Sequence, residues 1–333
     1  MKKSLRHVLV FLLIVAALYL LLPRLVDAEE TLELLTRADY WLLGLAVFLE
    51  GCALLGYANL TRFVLRVLDI RLRLFEVLSV TLGSLAVSHV FSAGGVGGWV
   101  LTYNALRKRD VPHGLIFVAI AAQQFFNYVV LWFFFAIALA YLVLAKGQSL
   151  WQYLVGIVLI FLLLWLTAYG VYLYNHRTLM RRRVGQAAHV INRMARREVV
   201  EEGHVDAWLD NLFVGMRRMT SHRGAFRRTA LYACAYWFFD MLVLAAVFVA
   251  FGAGVPWTAL VVAYVVAYSI GTLAPTPGGL GAVEALLIAL FVSFGVASAT
   301  AVTVVLVYRV INFWLPIPPG LIMYGTIRRA GTP

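Results

Sequence analysis

Two predominantly apolar runs without a charged residue, Leu115 to Ala145 and Leu150 to Tyr174, exceed the roughly 20 residues that a helix needs to cross a bilayer. Lipid offers backbone N–H and C=O groups no partner, so a spanning segment must close its own hydrogen bonds. The rest of the chain agrees with these runs. It is 63% hydrophobic and 13% charged over 333 residues, the composition of an integral membrane protein. The expected fold is all-α and polytopic. Both cysteines, Cys52 and Cys234, fall within apolar segments and suggest packing rather than a disulfide or a metal site. Val8 to Leu22, behind the basic start Lys2, Lys3 and Arg6, reads either as a signal peptide or as a first retained helix. The retained helix is preferred, because the remainder of the chain is itself membrane-embedded.

Charge placement sets the expected topology. Of the 28 Lys and Arg residues, 24 fall in the clusters 2–6, 62–73, 107–109, 177–228 and 328–329. The positive-inside rule assigns these clusters to the cytoplasm, with both termini, and leaves the acidic stretch Asp27 to Asp39 outside. Threading the apolar segments through these constraints predicts six full spans: 8–22, 41–60, 114–145, 150–174, 229–251 and 299–325. Two further segments, 74–106 and 257–294, must each begin and end on one side, so they are expected as helical hairpins. The result is one membrane domain over residues 1–333 in the cell membrane, with repeat-like units 74–145 and 257–325. Its basic loop, 175–228, has arginines and spaced apolar residues that suggest one or two amphipathic helices on the anionic inner leaflet. Topology explains that basicity, so nucleic-acid binding is not expected.

Both hairpins contain clustered glycine. The first has Gly94, Gly95, Gly97 and Gly98; the second has Gly278, Gly279 and Gly281 behind Pro275 and Pro277. Three of these glycines recur at a constant offset of 184, and an Asn-aromatic pair follows each cluster, Asn127-Tyr128 and Asn312-Phe313. Such residues break helices, and broken helices at membrane depth persist where they are buried in protein or line a watery cavity. Tight packing through small residues is the simpler explanation. The threading enters the first hairpin from the cytoplasm and the second from outside, which makes the two units an inverted-topology repeat, as in many alternating-access transporters.

Glu50, Asp240, Glu284 and Arg309 are ionisable residues inside predicted spans, where charge is costly and faces a bundle interior or a cavity. Arg309 lies about ten residues into its span, roughly 15 Å deep, and Glu284 sits in the first turn after the second break. Either the two pair and lock the hairpin to the last span, or Arg309 holds an anionic headgroup that Glu284 modulates. Gln123, Gln124 and Asn127 share one span at helical spacing and offer polar contacts. His89 and Ser92 are assigned to local hydrogen bonding. No hydrolase, metalloprotease, nucleotide-loop or aspartate-rich metal motif is visible, so neither catalysis, nor a cofactor, nor a metal is expected.

The residues 277–284, Pro-Gly-Gly-Leu-Gly-Ala-Val-Glu, then Gly295, Tyr308-Arg309 and Trp314-Leu315-Pro316, resemble the C-terminal signature of the lysylphosphatidylglycerol synthase transmembrane, or flippase-like, family. Ser92 to Gly98 followed by Leu106 to Arg109 is similar to its N-terminal glycine motif, with Trp99 where the family commonly has an acid. The resemblance implies lipid translocation between leaflets, with Glu284 and Arg309 at the matching charged positions. Bifunctional members carry a following soluble aminoacyltransferase domain; this sequence runs to Pro333, and lysyl transfer is not expected. The expected substrate is an anionic phospholipid, an aminoacylated lipid or a polyprenyl-linked glycolipid. Its binding set is Arg309, Glu284, Gly278, Gly279, Gly281, Tyr308, Asp240, Glu50, Gln124, Asn127, Gly94, Gly95 and Gly97. The alternative is a membrane subunit that presents lipid to a separate transferase or glycosyltransferase.

Overall fold

The computed structural model describes residues 33–91, 96–109, 111–144, 175–195, 223–272, 274 and 276–329, with scattered positions between 161 and 217. Every regular element among them is helical. The long apolar helices are α1 (Tyr40–Val67), α4 (His113–Leu144) and α6 (Arg223–Ala250). Shorter ones are α2 (Leu74–Phe91), α3 (Val96–Arg107), α7 (Trp257–Gly271) and α8 (Ala282–Ser293). The basic helix α5 (Arg177–Ala195) lies between α4 and α6 in sequence. The last stretch is α9 (Ser298–Arg309), a π-helical turn (Val310–Trp314) and α10 (Ile317–Arg329). Among the described residues, four helices are long and apolar enough to cross a membrane: Tyr40–Val67, His113–Ala138, Gly224–Ala250 and Ser298–Gly325. They coincide with the expected spans 41–60, 114–145, 229–251 and 299–325. The expected span 8–22 lies outside the described residues, and of 150–174 only scattered positions are described.

Local chemistry sets the helix ends that matter here. Asp39 caps α1, its carboxylate accepting from the Trp41 N–H at 2.9 Å. Glu284 turns back over the start of α8 and accepts the Gly281 N–H at 2.7 Å, which satisfies an orphan donor of the first turn. In the last span the Leu315 N–H reaches the Val310 carbonyl at 2.9 Å, five residues back. This widened turn precedes Pro316, Pro318 and Pro319, none of which supplies a backbone donor. Such π turns inside helices occur frequently at functional sites.

Both hairpins are present as helix pairs. The α2–α3 pair is tied by Ser84 and Thr102, whose hydroxyls are 2.7 Å apart, and by the Gly98 N–H donating to Ser88 Oγ at 3.1 Å. Its glycines Gly94 and Gly95 lie outside the described residues. The α7–α8 pair is joined through a short 3-10 turn, Pro277–Gly279. The main apolar core gathers Leu60 and Val64 of α1, Leu131 of α4, Val243 and Val247 of α6, Tyr264 of α7, Leu287 and Phe291 of α8 and Val304 of α9. Helices α1 and α6 run along one another, and α10 packs on α2. The outward faces carry Trp41, Phe48, Phe133, Val249 and Trp257, the side chains that a hydrocarbon solvent requires. α5 displays Arg181, Arg182 and Arg183 as exposed residues, in keeping with the amphipathic helix expected in the basic loop.

Candidate functional site

The second glycine break, Gly98 beside the first, both Asn-aromatic pairs, Glu50 and Arg309 converge on one cavity of about 220 Å³. Glu50 and Tyr57 of α1, His89 of α2, Gly98 and Trp99 of α3, and Gln123, Gln124, Asn127 and Tyr128 of α4 line it. From the other side come Gly278 and Gly279 of the 3-10 turn, Arg309 at the end of α9, and Asn312 and Phe313 of the π turn. A single water needs only about 10–15 Å³ of such space, so the cavity has room for a polar group of several atoms.

Arg309 is the centre of the wall. It is 1% exposed, and its Nε donates to Glu284 Oε1 at 2.6 Å. One terminal nitrogen donates to the Gly278 carbonyl at 3.2 Å and the other approaches Asn312 Oδ1 at 3.4 Å. The guanidinium carbon sits 4.6 Å above the Phe313 ring, a cation–π contact. His89 stacks on the same ring with centroids 4.1 Å apart. The glycine turn permits this assembly. Gly278 has φ +57°, a conformation that residues with a Cβ rarely adopt, and a Cβ there would lie 2.3 Å from Phe313 Cε2.

Behind the wall lies a second network centred on Asp240 of α6. Its carboxylate accepts from Tyr264 Oη at 2.5 Å, from Tyr308 Oη at 3.0 and 3.1 Å and from Asn312 Nδ2 at 2.6 Å. The Tyr268 hydroxyl lies 2.5 Å from that of Tyr308 and donates to Asn312 Oδ1 at 3.0 Å. Asn312 therefore joins the two networks, facing Asp240 with its amide nitrogen and Arg309 with its oxygen. Trp237 of α6 reaches across to α4, donating to the Asn127 carbonyl at 2.9 Å, and Tyr57 donates to Gln124 Oε1 at 3.3 Å.

The sequence-derived residues sort into positions. Arg309, Glu50, Gln124, Asn127, Gly278 and Gly279 line the cavity. Glu284, Gly281, Asp240 and Tyr308 stand behind its wall and hold the lining residues in place. Gly97 opens the second residue of α3, beside the lining Gly98 and Trp99. The pairing of Arg309 with Glu284, one of the two readings of that pair, is present. Sequence reasoning set His89 aside, yet its ring lines the cavity, and it left Tyr57 and Thr81 unnamed. Only the repeated Asn-aromatic pair carried a signal for Asn312 and Phe313.

Five buried polar atoms on this lining have no hydrogen-bond partner among the described residues: Glu50 Oε2, Thr81 Oγ1, His89 Nδ1, Asn127 Oδ1 and Thr276 Oγ1. A buried polar atom left unpaired costs about 1–3 kcal/mol. Concentrating five on one cavity marks a place that is completed by water or a ligand.

A helical bundle with several helices long and apolar enough to cross a bilayer, arranged around a cavity, is the build of a multi-pass membrane protein. Comparison with known proteins narrows this. The chain belongs to the family described as the lysylphosphatidylglycerol synthase TM region, which it matches over residues 8–320. It is 21% identical over 317 residues to a UPF0104 membrane protein of Pyrococcus horikoshii, covering 92% of this chain and 93% of that one. A UPF0104 membrane protein of Methanocaldococcus jannaschii is also 21% identical, over 96% of this chain and 94% of its own length. A third, from Methanothermobacter thermautotrophicus, is 29% identical over 157 residues, so the match spans about half of either protein. All three are named only as membrane proteins.

Proposed function

We propose that this protein moves a lipid between leaflets by passing its headgroup through the cavity while the acyl chains stay in hydrocarbon. The observation that carries the proposal is the set of five unpartnered polar atoms on one lining. A purely structural core leaves no such set, because each unpaired group costs stability. A headgroup that enters would supply the missing partners. Asn127 Oδ1 is an acceptor only, and so is Glu50 Oε2 while the carboxylate is ionised, so a headgroup bearing hydroxyl or ammonium donors fits this wall. Arg309 offers its remaining N–H groups to a phosphate. Among the three lipid classes considered, an aminoacylated lipid or a polyprenyl-linked glycolipid answers both walls, and a simple anionic phospholipid answers only the arginine.

The mechanism we infer is rocking of two inverted units, 74–145 and 257–325, about the cavity, with the glycine breaks as the points where backbone meets headgroup. Six spans, cytoplasmic termini and placement in the cell membrane belong to the same reading. The test is reconstitution in liposomes with acyl-labelled fluorescent lipids and dithionite quenching of the outer leaflet. Headgroup-selective translocation by the purified protein supports the proposal; none with any of the three lipid classes overturns it. The exposed arginines of α5 favour a second reading, in which the protein presents lipid to a separate transferase. Translocation that requires a co-purified enzyme would select that reading.

A further inference from the structure

We propose that Glu50 is a proton-carrying site that couples headgroup movement to a pH gradient; the proposal rests on the translocator reading above. Glu50 is 2% exposed, lines the cavity, and keeps Oε2 without a hydrogen-bond partner among the described residues. A second carboxylate, Asp240, faces it from α6, with Asn312 beside both. The two acids are unequally served. Asp240 is held by the hydroxyls of Tyr264 and Tyr308 and by the Asn312 amide, donors suited to an ionised carboxylate. The one nearby guanidinium faces three acids, and Arg309 is already paired with Glu284 at 2.6 Å, so Glu50 and Asp240 together keep uncompensated negative charge. Two like charges in a low-dielectric interior are costly to hold together unless one takes up a cation. The group with an unused oxygen and an open cavity beside it is Glu50.

The surroundings favour a proton over a metal ion. The other ionisable groups facing the pair are Tyr57 on α1, Tyr236 on α6, Tyr264 and Tyr268 on α7, and Tyr308 and Arg309 on α9, with Tyr128 of α4 and His89 of α2 across the cavity. This is a shell of phenols, a cation and an imidazole; the acids it holds are the pair itself, with Glu284 committed to Arg309. No group of three or more His, Cys, Asp or Glu able to hold a metal occurs among the described residues. A proton needs only the one free oxygen. It would arrive from cavity water, form the O–H of Glu50 and leave to water when the cavity opens to the other side. Protonated, Glu50 no longer repels Asp240, and α1 can close on α6, the helix it runs along. Ionised, it favours separation of the two helices and can accept a donor from the headgroup.

Two measurements test this. Infrared difference spectra of the purified protein across a pH jump should show a protonated-carboxyl C=O band that shifts on ¹³C-glutamate labelling and is absent from Glu50→Gln. A wild-type spectrum without such a band, or one unchanged in Glu50→Gln, overturns the site. If Glu50→Gln does not fold, the isotope shift in the wild type still assigns the band to glutamate, and Glu50→Asp should remove that shift while keeping a carboxyl band. In liposomes containing an acyl-labelled fluorescent aminoacylated phosphatidylglycerol, a gradient of one pH unit should skew the final leaflet distribution by about tenfold per coupled proton. Glu50→Gln should lose that skew. Translocation that is equal with and without the gradient, or that follows a sodium gradient instead, overturns proton coupling while leaving the translocator reading intact. Absence of any translocation sinks the translocator reading and with it the coupling, leaving only the infrared result to decide whether Glu50 carries a proton.

Discussion

Arg309 and Glu284 form the most deeply buried ion pair among the described residues, with side chains 1% and 3% exposed. Removing one partner of such a pair strands a charge and costs about 3–5 kcal/mol, whereas removing both can be nearly neutral. Arg309→Ala is therefore expected to lower the thermal unfolding midpoint in detergent sharply, and Arg309→Met with Glu284→Gln to recover most of it. Translocation should stay lost in the double variant, because the cavity wall has lost its cation. Recovery of both properties would reduce Arg309 to a strut. Arg309→Lys should keep charge but lose the two-nitrogen grip that now spans Gly278 and Asn312. This pair was legible in the sequence, since an arginine near the bilayer midplane demands a counter-charge and Glu284 is the acid of the signature. The donors around Asp240 were not: Tyr264, Tyr308 and Asn312 lie 24, 68 and 72 residues away from it. No local pattern specifies such contacts.

At the level of the element, the second glycine break is a device for bringing a backbone carbonyl to Arg309 and leaving room for Phe313. Gly278→Ala should cost about 1–2 kcal/mol for the left-handed backbone and also push Phe313 off His89 and Arg309, so translocation should fall. Gly295→Ala is the control. Its φ is +90°, yet a Cβ there would meet nothing within 4 Å, so stability should fall while translocation holds. Equal transport by both variants would detach the break from the site. The existence of the two hairpins was readable from glycine clusters inside apolar runs. The π turn was not, because proline in the sequence signals a break without specifying how the helix before it unwinds. His89 was misjudged for a related reason: a lone histidine on an apolar helix is ordinarily satisfied locally, and only the fold shows its ring lying on Phe313.

For the whole molecule, alternating access requires that the units face opposite ways. In a background with Cys52 and Cys234 replaced by serine, Glu33→Cys and Gln186→Cys should react with a membrane-impermeant maleimide from opposite faces; labelling from the same face would undo the inverted repeat. Four of the six expected spans were legible, because bilayer thickness converts directly into apolar length, and each matches a long apolar helix among the described residues. The convergence of both Asn-aromatic pairs on one cavity was not legible, because a constant sequence offset says nothing about distance in space. The central claim is that this cavity passes lipid headgroups. The measurement that tests it most directly is dithionite quenching of acyl-labelled lipid in liposomes containing the purified wild-type protein, beside Arg309→Met with Glu284→Gln as a folded control. The account predicts that the wild type renders inner-leaflet label accessible, fastest for headgroups rich in hydrogen-bond donors, and that the control does not. Label that stays protected with the wild type for every headgroup, or equal rates from both proteins, would contradict it.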